Sequence, residues 1–188
     1  TTDPPPWLSQ GKLVAELERT FADKVGAKHA VFVNSGSSAN LLAWHLPLGD
    51  PSVKRPIAIA PKVAWATSVM PALQLGYEVH LCGADEETWG LDPADLRRLC
   101  EKHEPEVVLL VHVLGVPCRM DEIRELQQSF GFLLIEDSCA AFGSSPIGKT
   151  GALSTYSTFF AHQFSTVCGG FVTTNDREWN EILRMTRA

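Results

Sequence analysis

The sequence predicts an α/β protein whose mostly parallel sheet carries helices on both faces. Three runs contain the consecutive apolar residues that are typical of strands buried inside a parallel sheet: residues 29–35, 107–114 and 132–138. Segments with apolar residues at helical spacing separate such runs, and Gly or Pro stands at most boundaries. This alternation is typical of βαβ units, in which ligands bind beyond the carboxyl ends of the strands.

Composition narrows the class of protein. The 188 residues are 45% hydrophobic, enough for one domain with a sizeable core. A formal net charge of −6 without any basic run argues against nucleic acid or an anionic membrane as partner. No apolar run approaches the roughly 20 residues of a membrane helix, and no signal peptide is recognisable, so we expect a cytoplasmic protein.

The cysteines predict reduced thiols. Their positions are scattered without a Cys-x-x-Cys pair, and most lie in apolar runs: Cys82, Cys100, Cys118, Cys139 and Cys168. This pattern favours buried free thiols over disulfides, and we expect no metal site.

The remaining elements follow in chain order. An amphipathic helix over residues 12–25 should end at Gly26, a residue suited to a C-cap. Asp92 and Asp176 stand where N-caps are expected, and the helix that begins near Asp176 runs to the end of the chain. The other predicted strands are residues 56–61 and 78–84, and the other predicted helices are residues 36–44, 67–75, 92–103 and 120–130.

Residues 154–174 predict two strands joined by a connector. Aromatic residues up to Phe160 mark the first strand, and Phe171 and Val172 mark the second. Gly169-Gly170 would let the chain bend or approach another backbone closely. The connector carries His162, and a lone histidine in such a place is more often structural than catalytic.

Three further positions bear on ligand binding. A predicted strand is followed by Gly36-Ser37-Ser38 and then by a predicted helix. This order favours the binding of an anion at the start of the helix, although Ser is also a routine N-cap. Trp65 follows a strand, where its indole could stack on a flat ring or equally serve as a core or interface residue. Asp137 ends a buried strand at the ligand edge, where it could bind a ligand or cap a turn.

The run from Ser157 to His162, followed by Gly169-Gly170, resembles the cofactor segment of a family of pyridoxal-phosphate (PLP) enzymes. This is the DegT/DnrJ/EryC1/StrS sugar aminotransferase/dehydratase family, whose aminotransferases carry their PLP-linking lysine where this chain has His162. Histidine there resembles the GDP-4-keto-6-deoxy-D-mannose 3-dehydratase branch.

The resemblance covers nearly the whole chain and carries a fold and a site with it. It implies the large domain of the fold-type I, aspartate aminotransferase-like enzymes: residues 1–188 would be an N-terminal arm helix plus the PLP-binding domain. The C-terminal small domain would be absent, as in a fragment of a longer chain. It also implies roles for seven residues: phosphate contacts from Gly36, Ser37, Ser38 and Ser157, ring stacking by Trp65, the pyridine nitrogen partner Asp137 and the acid/base His162.

The same resemblance implies a reaction. PLP, or its amine form pyridoxamine phosphate (PMP), would serve to remove the C3 hydroxyl from a nucleotide-linked 4-keto-6-deoxyhexose, with glutamate as amino donor. Imidazole is not a primary amine, so the cofactor would be held non-covalently, and imidazole takes up and returns protons near neutral pH. The full-length protein would be a homodimer, and we expect residues 1–188 alone to turn over poorly.

Other interpretations stay open. The protein could bind PLP like a sugar aminotransferase but lack catalysis, and Cys168, Ala140 and Gln163 do differ from the residues usual in the family. A related dehydratase with an iron–sulfur cluster is a second alternative. A third is an unrelated nucleotide-binding domain using residues 36–38, although Gly-x-Gly-x-x-Gly and Gly-Lys-Ser/Thr motifs are missing.

Overall fold

A computed structural model describes residues 10–144 and 147–187. The seven strands are β1 (His29–Val33), β2 (Ile57–Pro61), β3 (Glu78–Cys82), β4 (Val107–Val111), β5 (Leu133–Asp137), β6 (Leu153–Ser157) and β7 (Gly170–Thr174). The six α-helices are α1 (Lys12–Val25), α2 (Gly36–His45), α3 (Ala66–Gln74), α4 (Pro93–His103), α5 (Met120–Phe130) and α6 (Arg177–Arg187). Short 3₁₀ turns cover Leu46–Gly49 and Val113–Gly115.

The strands form one sheet in the order β1-β7-β6-β5-β4-β2-β3. From β6 to β3 every neighbouring pair is parallel, whereas β7 runs antiparallel to both β6 and β1. Six strands therefore point the same way, which confirms the predicted mostly parallel sheet. Their carboxyl ends, together with the start of β7, meet at one edge of the sheet.

Helices cover both faces of the sheet. Ile135 joins a buried cluster that includes residues of α2, α3 and α6, whereas its neighbour Leu134 joins a cluster with α4 and α5. Helix α1 packs near Tyr156 and Phe171, on the same face as α4 and α5. Because side chains alternate along a strand, Asp137 faces α2 and α3 and Glu136 faces the opposite side.

The helix ends follow the expected capping chemistry. The Asp92 carboxylate accepts a hydrogen bond from the Ala94 N–H at 2.9 Å, and that of Asp176 accepts one from the Trp179 N–H at 2.9 Å. Gly26 adopts φ 75° after α1, the left-handed conformation that an L side chain rarely takes. These predicted caps are confirmed.

Most strands are slightly shorter than predicted, and two of them end three residues early. The strand expected to reach Phe160 ends at Ser157, because Thr158 donates its N–H to the Gly169 carbonyl at 2.9 Å and closes a loop over residues 158–169. Phe160 is consequently 69% exposed. The strand expected to reach Leu114 ends at Val111, since residues 113–115 form a tight turn.

Three of the cysteines are buried as predicted, namely Cys82, Cys100 and Cys118, while Cys139 is half-buried and Cys168 is exposed. All five are free thiols.

Within the described residues, no helix combines the length and the apolar character needed to span a bilayer.

Candidate functional site

The start of α2 lies directly against the ends of β5 and β6. A Cβ atom on Gly36 would fall 2.7 Å from the Ser157 Cβ and 2.9 Å from the Cys139 Sγ, closer than side chains approach one another. A Cβ on Gly170 would fall 2.5 Å from the carbonyl carbon and oxygen of Ser35. The close backbone approach predicted for the glycine pair is therefore present, and it involves the first residues of α2.

The first turn of α2 is arranged to receive an anion. Ser35 caps the helix, its hydroxyl accepting the N–H of Ser38 at 3.1 Å. In the described part of the chain, the N–H groups of Gly36 and Ser37 donate to no other protein group. Such N–H groups, with the positive end of the helix dipole, favour a phosphate or carboxylate. The Ser37 hydroxyl also donates to the Thr67 hydroxyl at 3.0 Å, which ties α2 to α3.

Asp137 is the most constrained carboxylate at this edge. It is only 4% exposed, and its Oδ2 accepts hydrogen bonds from Asn40 Nδ2 at 3.0 Å and Ser68 Oγ at 2.6 Å. Its Oδ1 accepts the N–H of Cys139 at 3.0 Å. Asn40 is itself fixed by Thr155, whose hydroxyl donates to the Asn40 amide oxygen at 2.6 Å. Asp137 is thus held in one orientation by groups from several elements.

Sequence reasoning missed the residues that hold Asp137. Asn40 lies four residues after Gly36, between the fully buried Ala39 and Ala43. An amide on the apolar face of a helix needs a buried partner, and this signal was available in the sequence. Ser68, the other such residue, has no comparable signal because serine is common in the first turn of a helix.

Trp65 lies just before α3 at the same edge. Its side chain is 76% exposed, which excludes a core role, and its carbonyl accepts the N–H of Ser68 at 2.9 Å. The indole therefore stands one turn away from a residue that holds Asp137. The interpretations as a stacking residue or an interface residue both remain.

His162 lies in the loop of residues 158–169. Its N–H donates to the Phe159 carbonyl at 2.9 Å, and the two rings meet edge-on with centroids 6.2 Å apart. The His162 Nδ1 is buried and has no hydrogen-bond partner among the described residues. Gln163 donates its side-chain N–H to the Ala140 carbonyl, so the loop is tied to the segment just after Asp137. The described contacts do not join His162 directly to Gly36 or Asp137.

A second buried carboxylate lies on the other face of β5. Glu136 is fully buried, and it accepts hydrogen bonds from His112 Nε2 at 3.1 Å and from the backbone N–H groups of residues 148 (2.9 Å), 150 (2.6 Å) and 151. His112 Nδ1 accepts the N–H of Cys118 at 3.2 Å, which leaves Nε2 to donate to Glu136. Burial alone would raise the pKa of Glu136, but the hydrogen bonds from His112 and Gly151 outweigh it and lower that pKa.

These features fit a cofactor that combines a phosphate with a flat, basic ring. The N–H groups of Gly36 and Ser37 at the start of α2 are available to a phosphate, and Asp137 offers a buried carboxylate to a ring nitrogen. Trp65 offers an exposed aromatic face, and the unpartnered Nδ1 of His162 offers a polar atom. The donor set is that of the predicted PLP site.

Comparisons with known proteins agree with this assignment. The DegT/DnrJ/EryC1/StrS aminotransferase family matches residues 3–188. The GDP-4-keto-6-deoxy-D-mannose 3-dehydratase of Yersinia pseudotuberculosis is 34% identical over 188 residues, which are 96% of this chain and 48% of that protein. The GDP-perosamine synthase of Caulobacter vibrioides is 32% identical over 189 residues, with 96% and 49% covered.

A solved structure confirms the fold class that the resemblance predicted. The crystal structure of GDP-4-keto-6-deoxymannose-3-dehydratase with a trapped PLP-glutamate geminal diamine matches with a TM-score of 0.82 at 31% identity. The match covers 93% of this chain and 47% of that one. The chain spans about half the length of the relatives it matches.

Proposed function

The chain belongs to the DegT/DnrJ/EryC1/StrS aminotransferase family, and from this premise we propose that the full-length protein is a PLP- or PMP-dependent sugar 3-dehydratase. Its substrate would be a nucleotide-linked 4-keto-6-deoxyhexose, from which it removes the C3 hydroxyl as water. One observation carries the proposal: an imidazole, His162, stands where the family's aminotransferases have their lysine. The 3-dehydratase name of the Yersinia relative supports the same reaction.

Residues around the sheet edge would hold the cofactor. The N–H groups of Gly36 and Ser37, with the hydroxyls of Ser38 and Ser157, would bind its phosphate. Asp137 would keep the ring nitrogen protonated. The exposed indole of Trp65 would cover one face of the ring.

When bound, PLP supplies an electron-withdrawing ring that stabilises negative charge on the substrate carbon next to it. His162 would supply the proton transfers. Its imidazole takes a proton up at a ring nitrogen and gives one to the oxygen at C3, so that the C3–O bond breaks and water leaves. The buried Nδ1 without a partner supports a role in which a bound group completes its hydrogen bonding. Because imidazole forms no covalent link to the cofactor, the residues at the sheet edge would hold it by non-covalent contacts alone.

A sugar aminotransferase is the second candidate, since the Caulobacter relative is named as a GDP-perosamine synthase. The two activities leave different products. Dehydration releases ammonia and gives a 3-deoxy sugar, whereas amino transfer leaves a 4-amino sugar. Loss of catalysis with retained PLP binding would give neither product.

The test uses the full-length protein with PLP, glutamate and GDP-4-keto-6-deoxy-D-mannose. We expect ammonia release that depends on the sugar, and a His162→Asn variant that is about 10²–10⁴-fold slower while it still binds PLP. His45→Asn, at an exposed position outside the site, is the control and should keep full activity. Formation of a 4-amino sugar as the only product would contradict the dehydratase assignment.

A second arm reports on covalent attachment. Borohydride treatment should leave no pyridoxyl group on the wild-type chain, because no lysine faces the cofactor. The same treatment of His162→Lys should label the new lysine. A pyridoxyl-lysine peptide recovered from the wild-type protein would overturn the role given to His162.

A further inference from the structure

A second cluster of side chains, of types that ligate metal ions, lies at the opposite edge of the sheet from the residues proposed to bind the cofactor. Glu78 and His80 are two residues apart on β3, the strand at one end of the sheet, so both side chains face the same way. His103 is the last residue of α4, which packs on that face. Glu78 begins β3, so the cluster lies at the amino ends of the strands, whereas Asp137 and Ser157 lie at the carboxyl ends.

The three side chains are close enough to share one ion. One ligating atom from each lies within 4.8 Å of the other two. The His80 Nε2 is 2.9 Å from a Glu78 carboxylate oxygen, in an alignment that is not a hydrogen bond, and it has no partner elsewhere in the described chain. The rings of His80 and His103 are stacked with centroids 3.5 Å apart. The buried His80 Nε2 thus lies beside a Glu78 carboxylate oxygen and a second imidazole, that of His103.

The donor set selects a class of metal. Two imidazole nitrogens and one carboxylate oxygen suit Zn²⁺, whereas Mg²⁺ and Ca²⁺ prefer oxygen ligands alone. Bonds of about 2.0–2.1 Å around a tetrahedral ion place its ligands about 3.3 Å apart, so the side chains must close by about 1.5 Å at most. Glu78, whose side chain is 66% exposed, and His103 at the helix end can supply this movement by rotating.

The charges around this cluster include some that favour and some that oppose the binding of a cation. Removal from solvent, and then the nearby His80 and Lys102, lower the pKa of His103. Lys102 and Arg98 add positive charge that weakens the attraction for a cation, while Glu78 opposes them. A single carboxylate among these groups favours moderate rather than very tight binding.

We propose that Glu78, His80 and His103 bind one Zn²⁺ ion, with water in the fourth position, and that the ion fixes the edge strand β3 to the end of α4. The sequence led us to expect no metal site, since the cysteines are scattered. Here the ligands are histidines and a glutamate that are 25 residues or fewer apart in the sequence but come from a strand and a helix. The site is separate from the cofactor residues.

The test uses full-length protein without a polyhistidine tag, stripped with a chelator and titrated with ZnCl₂ in a calorimeter. We expect one ion per chain, micromolar affinity, and a rise of several degrees in Tm that the chelator reverses. His103→Gln and Glu78→Gln should each weaken binding by about ten-fold or more. His45→Gln and Cys168→Ser are controls at exposed positions and should bind as wild type does.

Substitution of Co²⁺ for Zn²⁺ gives a readout independent of affinity. The visible spectrum should be that of a tetrahedral ion without a thiolate charge-transfer band. Absence of saturable binding to the wild-type protein would overturn the proposal. So would a thiolate band, or zinc binding that survives in His103→Gln and is lost in Cys168→Ser.

Discussion

Gly36 has little space for a side chain at the edge where we propose the cofactor binds. It touches the side chains of Ser157 and Cys139, and any larger residue would push the start of α2 away from the ends of β5 and β6. The N–H groups assigned to the phosphate belong to this first turn. A displacement of a few tenths of an ångström therefore acts on cofactor binding as well as on packing.

We predict that Gly36→Ala weakens PLP binding by about ten-fold and lowers stability by about 1–3 kcal/mol, the usual cost of overpacking. Absorbance titration with PLP and a urea unfolding curve measure the two effects. Gly49→Ala is the matched control, because a Cβ there meets nothing within 4 Å. Its stability should stay within about 0.5 kcal/mol of wild type. Equal PLP affinity in Gly36→Ala and wild type would contradict this account of the site.

At the same scale, the sequence identified the residues that face a ligand better than those that support them. Gly36 and Asp137 were singled out because strand ends and a strand–glycine–helix order have a direct chemical meaning, whereas the role of Ser157 came from the family resemblance. Asn40 and Ser68 were not predicted, because their partners are distant in the sequence and only folding brings them to Asp137. The roles of His162 and Trp65 came from family resemblance, and they stay predictions until a cofactor-bound state is measured.

Adjacent residues of strand β5 form hydrogen bonds on opposite faces of the sheet. Asp137 faces α2 and α3 at the ligand edge, and Glu136 faces the other side, where it gathers the N–H groups of the loop 147–151. His112 donates to Glu136 and, through its own N–H, also to the Asp137 carbonyl at 3.1 Å. The end of β4, the end of β5 and the loop are thereby fixed to one another.

This arrangement predicts a specific sensitivity to acid. The pKa of Glu136 lies below its ordinary value of 4.5, so ionised Glu136 stabilises the fold above that pH. The stabilisation is lost as the pH falls below about 4.5 and passes through the lowered pKa.

We expect Glu136→Gln to cost about 2 kcal/mol or more at pH 7, because an amide cannot accept all the hydrogen bonds that the carboxylate accepts. Between pH 7 and pH 4 the variant should lose less stability than wild type does. Urea unfolding at both pH values measures this difference, with Glu125→Gln, at an exposed position of α5, as the control. An identical acid response in Glu136→Gln and wild type would show that Glu136 is not the titrating group.

The lengths of the elements were less predictable than their order. Every predicted helix and strand exists, but β4 and β6 stop earlier than their apolar residues indicate. Phe159 and Phe160 continue the strand pattern of β6 and yet lie in an exposed loop. Runs of apolar residues occur both in buried strands and on binding surfaces. The sequence alone therefore does not show which of the two such a run forms.

Over the described residues, most of the strongly exposed apolar side chains lie at the carboxyl edge of the sheet, while Leu13 and Met185 lie on α1 and α6. Trp65, Leu114, Phe160 and Val167 are each at least 69% exposed, and all four follow the carboxyl ends of strands. Exposed apolar groups gathered at one edge are typical of a surface that binds a ligand or another protein. The homodimer predicted from the family resemblance would cover it.

We predict that the full-length protein sediments as a dimer and that Phe160→Glu shifts it toward monomer by at least ten-fold in dissociation constant. Leu73→Glu is the control, since Leu73 is 52% exposed but lies near the end of α3, toward the opposite edge. Analytical ultracentrifugation over a range of concentrations measures both variants. A monomeric wild-type protein would refute the prediction, as would a dimer broken by Leu73→Glu and not by Phe160→Glu.

The position of β7 between β1 and β6 has a consequence for biosynthesis. Among the described strands, β1 pairs with β7 alone, in a register that joins His29 to Thr174, so β1 must wait for a strand that is translated much later. The parallel strands β2 to β6 can assemble meanwhile, and the turn after β1, which we propose binds the phosphate, reaches its final place only when β7 arrives. A nascent chain arrested before residue 170 should therefore be unable to bind PLP.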